Sequence, residues 1–175
     1  MDDIVIRSML KWPDVPDVYG WLQLDRRGSW RIRTGSSASE ARFEQVANTG
    51  LRDFMARNYS ADNRGCWFFQ NGPQRVFVTL AYAPFVFRLE NGVLADHCGR
   101  ELGHPDAAWL DEEGSLILSA SDRVGLLDDR DLGTVAESLA GGEFRVAGKT
   151  IPVGELEGRE VEARFGFVRG PNPAK

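Results

Sequence analysis

The chain has 175 residues, 42 per cent of them apolar and 27 per cent charged, and a formal net charge of -5. That length suits one domain with a sizeable core, and the composition excludes wholesale disorder. The acidic balance argues against a protein committed to nucleic acid, and no run approaches the roughly 18 apolar residues that a membrane-spanning helix needs.

Met1-Asp2-Asp3 begins acidic with no long apolar stretch behind it, which predicts a cytoplasmic chain without a secretory signal. Cys66 and Cys98 are the only cysteines and are expected as reduced thiols. The basic residues gather early: through Arg88 there are 12 Lys/Arg against 9 Asp/Glu, and from Leu89 onward 9 against 17. Opposite halves of this kind can attract each other within one molecule or between copies, so a homo-oligomer is an open alternative.

In chain order, Asp2–Trp12 predicts a short helix begun by two aspartates, with an edge strand as the alternative, and Lys11–Val18, carrying Pro13 and Pro16, an extended connector. Tyr19–Arg33 predicts a hairpin turning at Asp25-Arg26-Arg27-Gly28. Thr34–Glu40 is a Gly/Ser-rich surface loop, and Phe43–Val46 is ambiguous. Asn48 is the expected N-cap of a helix over Thr49–Tyr59, whose Leu51, Phe54, Met55 and Tyr59 share one face.

The densest apolar stretch, Gly65–Asn91, reads as three antiparallel strands parted by turns at Asn71-Gly72-Pro73-Gln74 and Tyr82-Ala83-Pro84. Val93–His97 should pair back onto Phe85–Leu89, and Gly99–Asp106 is a polar loop. Trp109-Leu110 and Leu116–Leu118 flank Asp111-Glu112-Glu113-Gly114, the same turn chemistry as Asp25–Gly28 but too irregularly spaced for a repeat array. A helix carrying Leu132, Val135 and Leu139 ends at Gly141-Gly142, with strands expected at Phe144–Val146, Thr150–Val153 and Val161–Val168.

These elements predict an α+β fold, mainly antiparallel β: a curled sheet, sandwich or open barrel with two or three helices packed on it. Residues 1–170 form one β-rich domain, with 99–106 the place for any seam, and 171–175 are a frayed tail.

Gly65–Val78, preceded by Asn58-Tyr59 and followed by Ala81-Tyr82, resembles an uncharacterised family of small proteobacterial proteins, a domain of unknown function. The Tyr19–Arg33 hairpin is similar too. The resemblance implies a bacterial, cytoplasmic, stand-alone domain, and carries no activity, cofactor or catalytic residue.

Three constellations could carry function. Gln70, Asn71, Gln74 and Arg75 sit beside aromatic strands in a strand-joining loop, where binding groups commonly lie, although Asn71-Gly72 is also simply good turn chemistry. His97, His104 and Asp106, near Asp96 and Cys98, could ligate a divalent metal or serve a Cys-His pair, but match no metal-site spacing; adjacent His97 and Cys98 in a strand would face opposite sides. Arg26, Arg27, Arg31 and Arg33 interleave with Trp21 and Trp30 as on single-strand-binding surfaces, although alternation would put Trp30 and Ile32 inside and Arg31 and Arg33 on a solvated face. The leading expectation is a non-enzymatic domain binding a small molecule or a protein; the alternatives are a small metal-assisted enzyme using 96–106 and a polyanion binder using 26–33. No Walker, dinucleotide, GxSxG or HExxH signature occurs.

Overall fold

The structure, a computed structural model, describes residues 1–35 and 40–173. Most of the loop expected at 34–40, and 174–175 of the expected tail, therefore lie outside the described residues. The chain forms two compact units, Met1–Asp25 with Ser29–Ala81 and Gly166–Lys175, and Arg26–Gly28 with Tyr82–Phe165. The expected seam at 99–106 falls inside the second.

The first unit contains α1 (Asp3–Lys11), β1 (Val18–Leu24), β2 (Trp30–Thr34), β3 (Arg42–Gln45), α2 (Thr49–Arg57), β4 (Tyr59–Ala61), β5 (Trp67–Asn71) and β6 (Gln74–Leu80). Asp3 in the first turn and Lys11 in the last suit the dipole of α1. The helix stops at Trp12 because Pro13 disfavours an α conformation for the residue before it. Asn48 caps α2 as expected, its Oδ1 accepting the Leu51 N–H at 2.8 Å. That helix ends two residues short of Tyr59, which instead pairs opposite Phe69 in β4. The strands form one sheet, ordered β3-β2-β1-β6-β5-β4, with β1 parallel to β6 and the other pairs antiparallel. Leu22, Leu24, Phe68, Phe77 and Val78 fill its core, and Tyr19 stacks on Phe77 with centroids 4.5 Å apart.

The second unit contains β7 (Phe85–Glu90), β8 (Val93–Asp96), β9 (Glu101–Leu102), β10 (Ala107–Leu110), β11 (Leu116–Ala120), β12 (Arg123–Leu127), α3 (Leu132–Ala140), β13 (Glu143–Val146), β14 (Lys149–Glu155) and α4 (Val161–Phe165). Its sheet runs β13-β14-β10-β11-β12-β7-β8-β9. Leu116, Ile117 and Leu118 are all fully buried, the continuous apolar run of a strand covered on both faces.

The α+β, strand-dominated class is therefore as expected, and one element differs. The strands divide into two sheets, because β7 pairs with β8 and β12 instead of continuing the β5–β6 meander. Ala81 ends β6 by donating to Leu24 O, and Pro84, without an N–H, stands where a continued ladder would need a donor. Val161–Phe165 is a helix rather than a strand: Val161, Ala163 and Phe165 alternate as strand residues do, and five residues are too few to show a helical period.

The order β3-β2-β1-β6-β5-β4 recurs as β9-β8-β7-β12-β11-β10, two meanders joined where the last strand lies parallel to the first. Residues 62–78 and 111–127 correspond without a gap, through the turns Asp62–Cys66 and Asp111–Ser115 and two-residue turns at 72–73 and 121–122. The turn chemistry noted twice in the sequence thus occurs four times, at Asp25–Ser29, Asp62–Cys66, Asp96–Arg100 and Asp111–Ser115. In each, the aspartate N–H donates to the carbonyl four residues on and its Oδ1 accepts the N–H of that same residue. The fourth position is a glycine with φ between 74° and 80°, the left-handed conformation that a bulged hairpin turn requires.

The Asp62 and Asp111 turns make the fold acid-sensitive. Burial raises the pKa of Asp111, but the Tyr82 hydroxyl at 2.7 Å and the N–H groups of Ser115 and Glu113 outweigh it, so the carboxyl lies below its ordinary 3.8. Asp62 is lowered in the same way, burial being outweighed by Cys66 N–H and Arg64. A lowered native pKa means the stabilisation is complete above the ordinary value and is lost as pH falls through the native one. Denaturation midpoints should thus be flat from neutrality to about pH 5 and fall below about pH 4, and Asp111→Asn should be less stable at pH 7 with a shallower acid limb.

Candidate functional site

An open groove of about 700 Å³ in the first unit lies between the end of α1, the connector Pro13–Asp17 and the β5–β6 hairpin. Asn58, 1 per cent exposed, organises it: its Oδ1 accepts the Asp2 N–H at 2.8 Å, its Nδ2 donates to Phe54 O, and its carbonyl accepts the Gln70 N–H at 2.9 Å. One residue thereby ties the start of α1, the end of α2 and strand β5 together. Arg57 adds a 3.2 Å contact to Asp2, holding that carboxyl below its ordinary value.

Of the four ligand-binding residues expected from the sequence, the structure brings Gln70 and Arg75 to the groove; Asn71 and Gln74 do not line it. Gln74 instead donates from Nε2 to Pro16 O at 3.1 Å, fixing the connector against the hairpin. Gln70 is 1 per cent exposed, and its Nε2 donates to Gly72 O at 2.9 Å. This sets the amide orientation, because the opposite one would place two carbonyl oxygens together. Its Oε1 is buried with no hydrogen-bond partner among the described residues. An acceptor in that state costs free energy and calls for an explanation. Arg75 lies 4.8 Å from the Phe68 ring centroid, and Trp12, Asp14 and Asp17 form the exposed side of the groove. Sequence reasoning missed the connector, reading its prolines only as a spacer.

The expected metal set is not brought together: among the described residues no three His, Cys, Asp or Glu side chains are grouped to hold an ion. His97 accepts the Val86 N–H at Nδ1, and Asp106 accepts the Ser121 N–H at 2.6 Å. His104 sits in the β9–β10 connection, its Nδ1 buried without a hydrogen-bond partner among the described residues. His97 and Cys98 do meet, Nε2 to Sγ at 3.6 Å, contrary to the expectation for adjacent strand residues, because both occupy the Asp96–Arg100 turn. Burial, and then the Asp96 carboxylate, pushes the Cys98 thiol up to about 12, the reverse of an activated nucleophile. Iodoacetamide at pH 8 should alkylate Cys98 in the native protein at least about a hundredfold more slowly than after unfolding, followed by mass spectrometry.

The arginines expected on a solvated face are engaged. Arg31 pairs with Asp25 at 2.8 Å, and Arg33 lies half-buried 5.6 Å from the Trp21 ring. Arg27 makes two bonds to Asp129, and Arg26 donates to Ser115 Oγ at 2.6 Å. Trp30 is inside as expected, whereas Ile32 is 43 per cent exposed.

The family model DUF2944, described as "Protein of unknown function (DUF2946)", matches residues 1–172. The chain belongs to this family. The DUF2944 match extends the resemblance seen around Gly65–Val78 to nearly the whole length. No curated protein matches. Among solved structures, a DUF1285 family protein from Silicibacter pomeroyi DSS-3 is similar to this DUF2944 chain with a TM-score of 0.52 and 12 per cent identity, over 85 per cent of this chain and 87 per cent of that one. A DUF1285 family protein from Shewanella baltica OS155 gives a TM-score of 0.43 at 12 per cent identity, over 66 and 90 per cent. At this identity the first likeness concerns the fold alone. No helix among the described residues is long and apolar enough to cross a membrane.

Proposed function

We propose that this DUF2944 chain is a non-enzymatic binding domain that takes a small ligand in the groove between Trp12–Asp17 and the β5–β6 hairpin. The observation that carries the reading is Gln70: a nearly fully buried side chain whose donor is satisfied and whose acceptor has no partner among the described residues, at the wall of a groove large enough for a small organic molecule. Arg75 adds a cation beside an aromatic face, and Trp12 a broad, half-exposed ring. A ligand supplying one hydrogen bond to Oε1 removes the cost of the unpaired acceptor, so this contact contributes more than an exposed one.

A thermal-shift screen of a metabolite library followed by calorimetry tests the reading. Hits should lose about tenfold in affinity in Gln70→Met, which keeps the side-chain length and removes the acceptor. Because Gln70 is buried, Trp12→Ala is measured alongside; that ring is half-exposed and outside the core, so the variant should fold normally and weaken the same hits. Hits unaffected by both changes would contradict the proposal.

A further inference from the structure

Each sheet leaves two edge strands, β3 and β4 in the first unit and β9 and β13 in the second. An uncovered edge offers main-chain N–H and C=O groups to any other strand, and proteins blunt that hazard with short edges or with charge. β4 has three residues, and β9, the counterpart of β3 in the second meander, only two. In β13 the charges are spent on each other, Arg145 Nη2 meeting Glu143 Oε2 at 2.7 Å. β3 runs four residues with Arg42, Glu44 and Gln45 exposed, and the side chains of Arg42 and Glu44 make no ion pair or hydrogen bond among the described residues.

The ladder with β2 fixes which way the main chain of β3 points. Val46 N–H donates to Trp30 O at 2.9 Å, and the register continues through Ile32 with Glu44 and Thr34 with Arg42. Antiparallel bonds alternate, so Glu44 and Arg42 turn their N–H and C=O groups towards β2, while Phe43 and Gln45 turn theirs outward. Nothing among the described residues bonds to those outward groups.

The charges select the strand that fits. Arg42 and Glu44 lie on one face of β3, one residue to either side of Phe43. When β3 pairs antiparallel with β3 of a second copy about Phe43, the two Phe43 residues exchange main-chain bonds, and Arg42 of each copy stands opposite Glu44 of the other. One two-fold axis thus makes two ion pairs at once. Charges of one sign at 42 and 44 would block this register by repulsion; β3 carries opposite signs.

We infer that β3 is an edge for self-association, through which two copies of this chain join their six-stranded sheets by antiparallel β3 strands centred on Phe43. The inference does not rest on the groove reading. Four residues of edge bury less than the about 800 Å² per partner of a standard interface, so the dimer is weak, half-formed at roughly 0.1 mM protein.

The test is sedimentation equilibrium of the full-length protein up to about 1 mM, an order of magnitude above that midpoint. Gln45→Pro removes an outward N–H, leaves the ladder with β2 intact, and should weaken the dimer at least about tenfold. Arg42→Glu and Glu44→Arg each set like charges opposite one another and should separately weaken it about tenfold. An equimolar mixture of these two charge variants again opposes unlike charges, and should associate within about threefold of the parent. The changed groups face outward, so thermal midpoints of all three variants should match the parent. A parent that stays monomeric throughout, whether or not an extended peptide adds to β3, overturns the inference, as does a dimer that none of the three variants weakens. A mixture no tighter than its separate components overturns the antiparallel register about Phe43.

Discussion

Gly65→Ala is expected to destabilise the first unit by about 3 kcal/mol or more, enough to unfold a marginal domain. Two costs coincide. Gly65 has φ of +76°, a conformation that disfavours any Cβ by roughly 1–2 kcal/mol. An added Cβ would also stand 2.1 Å from the carbonyl oxygen of Gly166 and 2.9 Å from Phe167 Cα, both backbone atoms that cannot rotate away. The crowding exists because the Gly166–Val168 segment returns to this turn, where the Val168 N–H donates to Gly65 O at 3.0 Å and Cys66 bridges to Val168. Gly114 is the built-in control: it holds the equivalent position of the Asp111–Ser115 turn with φ of +80°, yet nothing lies within 4 Å of its would-be Cβ. Gly114→Ala should therefore show only the conformational term, about 1–2 kcal/mol. Urea denaturation of both variants checks the pair, and equal costs would contradict the close-approach explanation.

Asp96→Ala should cost about 3–5 kcal/mol, because it removes the shared partner of two cations and two backbone donors. The Asp96 side chain is fully buried; Oδ1 accepts the N–H groups of Cys98 and Arg100 at 2.9 and 3.0 Å, and Oδ2 accepts Arg100 Nε and Arg123 Nη1, both at 3.1 Å. Asp96→Asn should rescue only part of the loss. The amide oxygen can serve the two backbone donors, but its NH2 would then face two guanidinium groups. Arg100→Ala, with a side chain nearly half-exposed, should cost far less, about 1 kcal/mol. Denaturant midpoints of the three variants give the ranking, and an Asp96→Asn protein as stable as the parent would contradict it.

What the sequence made legible follows from the range of each interaction. Local devices were readable: the Asn48 cap, the proline that stops α1, the turns at Asn71–Gln74 and Asp111–Gly114, and the burial of Trp30 each depend on a few neighbouring residues. The parallel contacts β1 with β6, β7 with β12 and β10 with β14 were not, because a strand's own pattern carries no information about a partner tens of residues away. That is why the sequence leaves a curled sheet, a sandwich and an open barrel all open, where the structure has two sheets. The same limit shaped the site. Gln70 and Arg75 were singled out by type and loop position, but only the fold shows that Gln70 lies buried with a spent donor and that Gln74 serves the connector. Asn58, which positions Gln70, is legible only as part of the family resemblance, since a buried asparagine and a helix-ending one look alike in sequence.

The central claim is that Gln70 Oε1 receives a donor from a bound ligand. A crystal structure of the protein with the tightest hit of the library screen tests it most directly. The account predicts the ligand between Trp12 and Arg75 with a nitrogen or hydroxyl donor within about 3 Å of Oε1. A hit seated elsewhere, with Oε1 turned to a donor of the protein itself, would contradict it.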